Sequence, residues 1–198
     1  KGMAEEQLNT YQIIVIGGSA GSLDVVLKII AALPINMQST VLVVLHRKNT
    51  SDSPLVNIFA SRTKLPVKEV EDKEALLPGT IYLAPPDYHL LIEDAQNFSL
   101  DCSEKIHYSR PSIDVTFESA GETFGAQCAG VLLSGANADG AQGLKAIRQQ
   151  GGFTIAQDPS TAEVGFMPQQ AILIDAAASI ITTDNLPSFI SNLVITKI

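Results

Sequence analysis

Apolar residues along this chain fall into short continuous runs separated by stretches with a helical period. "YQIIVI" (Tyr11–Ile16) and "TVLVVLH" (Thr40–His46) are nearly uninterrupted. A strand with one wet face alternates apolar with polar, so these two read as strands covered on both faces. Between them, Ser22–Ala32 repeats apolar positions at helical spacing, and Pro34 stops it. A short helix is expected to start near Pro54. The alternation resumes with a helix over Ser112–Phe124, a strand at Cys128–Leu133, a helix over Ala141–Gln150 and a strand at Phe153–Ala156. A helix near Met167–Ile174 and a closing helix over Leu186–Leu193 follow. The middle differs: "GTIYLAPPDYHLLIEDAQNFSLD" reads as three short strands with turn signals at "PPD" and "DAQN". The expected fold is therefore α/β, a doubly wound, mostly parallel, Rossmann-like sheet, with a small antiparallel β insertion between about residues 66 and 106.

Composition narrows the setting. The 198 residues, 45% hydrophobic and 17% charged, suit one soluble domain with a sizeable core. A formal charge of -8 argues against nucleic acid as a partner, because neutralising phosphates needs a basic face. Cys102 and Cys128 have no metal-ligand spacing. No apolar run approaches the roughly 18 residues of a membrane span, and no membrane insertion is expected. The opening "KGMAEEQ" reads as a tag remnant (Lys1, Gly2) ahead of Met3. Residues 1–10 are thus taken as tag remnant and tail and 11–198 as a single domain, with a cytoplasmic location as the default.

The turn after the first strand, "GGSAGS", raises three readings. A dinucleotide fingerprint needs G-x-G-x-x-G and an acidic residue ending the second strand; here the glycines are Gly17, Gly18 and Gly21, and that strand ends in His46. A P-loop needs Gly-Lys-Ser/Thr, and no lysine precedes Lys28. The stretch does match G-x-S-x-G from Gly17 to Gly21, the pattern that exposes a serine on a sharp strand-to-helix turn. On its own the match leaves open whether Ser19 is a nucleophile or part of a glycine-rich turn capping a helix.

The partners of a nucleophile decide between these. A nucleophilic serine needs a histidine base, oriented by a carboxylate. In an open parallel sheet, ligands bind outside the carboxyl ends of the strands. His46 ends the second strand, level with Ser19 after the first, whereas His89 falls in the insertion and His107 in the loop after it. Asp139, in "SGANADG", follows the strand Cys128–Leu133 at the same edge; Asp158, in "AQDPST", is its rival. Asp24, Asp52, Asp87 and Asp114 read as solvated or capping positions. The order Ser19, His46, Asp139 differs from that of the α/β-hydrolases, so this is triad chemistry on another doubly wound sheet.

These residues carry a resemblance. "IGGSAGS", the strand ending in His46, "VKEVEDKEALLPGTIYLAPPDYHLLI", "SRPSIDVTFESA", "GVLLSGANADGAQGL" and "TIAQDPSTAEVGFMPQQAI" together resemble the catalytic domain of the chemotaxis protein-glutamate methylesterases, the CheB family, from Tyr11 to about Asp184. The resemblance implies that Ser19 is the nucleophile, His46 the base and Asp139 its orienter. It implies hydrolysis of glutamate γ-methyl esters on the cytoplasmic helices of chemoreceptors, with glutamine deamidation as a second activity and a receptor methyltransferase as a pathway partner. That reaction implies neither a metal nor an organic cofactor. Main-chain groups near Ala20 and in the turn Gly135, Ala136, Asn137 would bind the oxyanion, and Arg110, in "SRPS", would contact substrate; its bland alternative is a loop anchor. Ala20 stands where well-known members have a hydroxyl residue, Ala136 replaces a methionine, and "GFMPQ" lacks the basic residue usual after Gly-Met-Pro. Those members also carry an N-terminal receiver domain, for which the roughly ten residues before the first strand leave no room. These departures motivate an alternative, a catalytically weak or repurposed domain that binds a receptor or signalling partner; the intact trio weighs against it.

Overall fold

The computed structural model describes residues 10–47, 55–94 and 97–197. Its main sheet has seven strands, all parallel, in the order β3-β4-β2-β1-β7-β8-β9. These are β1 (Ile13–Gly18), β2 (Thr40–Leu45), β3 (Val67–Glu69), β4 (Ile81–Leu83), β7 (Cys128–Leu132), β8 (Phe153–Gln157) and β9 (Ser179–Ile181). A separate antiparallel hairpin pairs β5 (His89–Glu93) with β6 (Asn97–Asp101). The helices are α1 (Leu23–Ala32), α2 (Leu55–Ala60), α3 (Ile113–Phe124), α4 (Ala141–Gln149), α5 (Phe166–Leu173) and α6 (Leu186–Ser191).

Every residue of β1 and β2 is buried, as their unbroken apolar runs require. Successive side chains point to opposite faces and feed two cores. Ile14, Ile16, Val41 and Val43 pack with Val26, Ile29 and Ile30 of α1 and with Leu186 and Ile190 of α6. Ile13, Val15, Leu42 and Val44 pack with Ile113 and Phe117 of α3, Leu144 and Ile147 of α4, and Leu90 and Phe98 of the hairpin.

The doubly wound sheet matches expectation, and the insertion is smaller than expected. Of the three strands read in "GTIYLAPPDYHLLIEDAQNFSLD", the first, β4, belongs to the main sheet, where it pairs in parallel with β2 and β3. Its buried, continuous "IYLA" is the mark of a strand covered on both faces, and its length of three residues hides the signal. The short β3 and β9, partly exposed edge strands, give no periodicity to read. Pro54 and Asp52 lie outside the described residues, although α2 begins at Leu55.

Candidate active site

Three neighbouring strand ends build the site. Gly18 pairs with Leu45, which sets Ser19 beside His46, one residue beyond each strand. The His46 N–H donates to the Gly18 carbonyl at 3.2 Å, and the Ser19 N–H to the Ser134 carbonyl, past β7, at 2.9 Å. Strands lie about 4.8 Å apart, so this register alone makes the two residues neighbours. The turn is tied down: Ser22 Oγ donates to the Ser19 carbonyl and Ser134 Oγ to the Ala20 carbonyl, both at 2.7 Å. The half-buried Ser19 hydroxyl takes no hydrogen bond among the described residues.

Asp139 is fully buried, and its carboxylate accepts four hydrogen bonds. His46 Nε2 donates to Oδ2 at 2.7 Å, and the Ile113 N–H donates to the same oxygen at 2.7 Å. Ser112 Oγ donates to Oδ1 at 2.8 Å and the Asp114 N–H at 3.0 Å. Ser112 is also the N-cap of α3, so the carboxylate lies at that helix's positive end. Burial pushes the Asp139 carboxyl up, but the bond to His46 and the two main-chain N–H groups outweigh it and hold the carboxyl below its usual range. Asp139 therefore stays ionised, fixes the proton of neutral His46 on Nε2, and leaves Nδ1 as the basic nitrogen. The turn presenting it uses Asn137 Oδ1, which accepts the Asp139 N–H at 3.1 Å, and Gly140, whose φ of 93° favours glycine.

His89 is buried, its Nδ1 accepting the Ser112 N–H at 3.1 Å and its Nε2 donating to the Glu104 carbonyl at 2.9 Å, a structural role. Asp158 ties its own turn through Ser160, and the hydrogen bond from that serine holds its carboxyl low. Gly135 gives its N–H to the Val164 carbonyl at 3.0 Å, whereas the Ala20 and Ala136 N–H groups have no acceptor among the described residues. Arg110 Nη1 donates to the Cys102 and Ser103 carbonyls, both at 2.7 Å, so it anchors the loop ahead of α3. It also lines an open cavity of about 530 Å³, with His46, Arg47, Asp87, Lys105, Tyr108 and Ser109.

Two residues of the site escaped the sequence reading. Ser109 Oγ lies 3.3 Å from His46 Nδ1, placed there by a tight turn in which Ile106 and Ser109 exchange main-chain hydrogen bonds. Asp114, read as solvated or capping, is buried beside Asp139, and its Oδ1 accepts the Gly143 N–H at 2.7 Å. Burial raises its carboxyl to about 6, with the Asp139 charge adding to the rise. The signal was a helical face: Gly121, seven residues on, packs against Ile147 of α4, and Asp114 shares that side. Oxygens of Asp114 and Asp139 and a ring nitrogen of His107 lie within 4.8 Å of one another, but those of Asp139 already accept four hydrogen bonds and have no capacity left for a cation.

The arrangement is an ionised, buried carboxylate, an oriented imidazole, a serine on a tied turn and two main-chain N–H groups that have no acceptor among the described residues. Residues 14–190 match the family model for the CheB methylesterase. A Leptospira interrogans protein, provisionally named a protein-glutamate methylesterase/protein-glutamine glutaminase, is 44% identical over 162 residues, covering 82% of this chain and 84% of its own. The protein-glutamate methylesterase FrzG of Myxococcus xanthus is 36% identical over 171 residues, 86% of this chain and 51% of that protein. The crystal structure of the Thermotoga maritima CheB methylesterase catalytic domain superposes with a TM-score of 0.87 at 33% identity, covering 93% of this chain and 99% of that one. The chain belongs to the CheB methylesterase family.

Proposed function

We propose that this protein is a serine hydrolase that removes methyl esters from glutamate side chains of chemoreceptors, acting from the cytoplasm, and that it also hydrolyses glutamine side-chain amides. The observation that carries the proposal is the 2.7 Å bond from His46 Nε2 to a buried Asp139, with Ser19 held beside His46 by strand register. Among the described residues no helix is long and apolar enough to cross a membrane.

In the proposed reaction Ser19 Oγ attacks the ester carbonyl carbon while its proton passes to His46 Nδ1. The Asp139 carboxylate holds the Nε2–H and stabilises the imidazolium. Charge on the former carbonyl oxygen is met by the Ala20 and Ala136 N–H groups. Collapse breaks the bond to methoxide, which leaves as methanol with the proton from Nδ1. Water then attacks the glutamyl-enzyme ester, gives one proton to Nδ1, and the second collapse returns that proton to Ser19 and frees the glutamate γ-carboxylic acid, which gives its remaining proton to solvent. With glutamine the leaving group is ammonia and the protein's part is unchanged. A receptor methyltransferase is the pathway partner this chemistry implies, since something must form the ester. The test is methanol release from membranes carrying methylated receptors. The wild type should release methanol and Ser19→Ala should not; equal release from both would reject the assignment.

A further inference from the structure

The hydroxyl that hydrogen-bonds the basic nitrogen of His46 is that of Ser109, and Ser19 makes no such bond among the described residues. Ser109 Oγ is 3.3 Å from Nδ1, and two other groups fix how it can behave. The His107 carbonyl lies 3.4 Å from the same oxygen and is a second acceptor for its proton. Asn137 Nδ2, from the turn that presents Asp139, donates to it at 3.5 Å. A serine hydroxyl has one proton and two lone pairs and rotates to suit its neighbours. Two acceptors and one donor around one such group make a two-position rotor.

We propose that Ser109 is a positioning residue for His46, holding the imidazole through Nδ1 in both of its protonation states. While His46 is neutral, the Ser109 hydroxyl donates to the Nδ1 lone pair, and with Asp139 on Nε2 the ring is held at both nitrogens. Nδ1 has one lone pair, so the Ser109 hydroxyl turns to the His107 carbonyl before Ser19 delivers its proton there, and its oxygen then accepts from the new Nδ1–H. Ser109 gains and loses no proton over the cycle. A hydrogen bond to a charged donor is stronger than the neutral one it replaces, so the ring stays held at this nitrogen while it carries the proton. The side chain at position 20, an alanine, offers no hydroxyl for this purpose.

The inference rests on His46 being the base, and its test separates the two claims. In Ser109→Ala, kcat for methyl-ester hydrolysis should fall about 3- to 10-fold, the worth of one hydrogen bond, with KM unchanged. Ser109→Thr, which restores the hydroxyl, should recover most of the loss. Independently of turnover, the ¹⁵N resonance of His46 Nδ1 should shift in Ser109→Ala and return towards its wild-type position in Ser109→Thr. An unmoved resonance in the alanine variant, an unchanged or raised kcat there, or no recovery with threonine would overturn the role of Ser109. A wild type without esterase activity would overturn the proposed function, while the resonance would still test the contact.

Discussion

A nucleophile has no stand-in, so Ser19→Ala should lower kcat by about 10⁴- to 10⁶-fold. Its hydroxyl bonds to nothing in the described structure, so the variant should melt like the wild type. His46→Ala should cost nearly as much in rate. His89→Ala should instead cost about 1–3 kcal/mol of stability in urea unfolding, because it leaves the buried Ser112 N–H without its acceptor. Asp139→Asn should lose both. An amide at this position cannot accept from all four donors, and it leaves His46 in the wrong tautomer. Asp158→Asn, whose carboxylate bonds within its own turn to Ser160, should leave the rate unchanged. Strand-end reasoning reached Ser19, His46 and Asp139 because each follows a strongly apolar strand. It could not reach Ser109, whose place depends on a loop returning to the sheet edge, a tertiary event with no local pattern.

Among the elements, the packing of α3 against α4 makes Asp114 a test of the site's electrostatics. The Asp114 carboxyl titrates near 6 in the folded protein against an ordinary value of 3.8. Between those values the folded state binds more protons than the unfolded one, so this group's contribution to stability is full below about 3.8 and is lost as pH rises through about 6. Asp114→Asn keeps an oxygen for the Gly143 N–H and removes the buried charge. It should melt above the wild type at pH 7.5, with the difference closing near pH 4; equal melting temperatures at pH 7.5 would refute the shift. Gly140 tests the same junction from the backbone. A Cβ there would lie 2.5 Å from Leu132 Cδ1 and 2.7 Å from Ile113 Cγ2, at a φ of 93°. Gly140→Ala should cost at least about 1–3 kcal/mol in denaturant unfolding and lower kcat by displacing Asp139. Long elements such as α1, α3, β1 and β2 were legible from period alone. The three-residue strands β3 and β9, and the place of β4 in the main sheet, depend on their neighbours in the sheet, which no window of sequence contains.

For the whole molecule, charge sets the approach. A chain of net charge -8 repels an acidic helix at long range, and each methyl ester removes one negative charge from that helix. Close in, Lys105, Arg110 and Asp87 line the cavity beside His46 together with Arg47, whose guanidinium is paired with Glu69. Screening acts over about 10 Å at 0.1 M salt, so it weakens the distant repulsion more than the close contacts. KM for a glutamate-rich methylated helix should therefore fall between low and physiological salt, while KM for a small neutral ester stays constant. A steep rise for the helix would show that the cavity cations dominate.

The central claim is that Ser19 is the hydroxyl His46 activates, and the rival is Ser109, whose Oγ hydrogen-bonds Nδ1 at 3.3 Å. Labelling with a serine-directed phosphonate, followed by peptide mass mapping, separates the two. The adduct should lie on Ser19, form at the same site in Ser109→Ala, and be absent from Ser19→Ala. An adduct on Ser109, persisting in Ser19→Ala, would contradict the account.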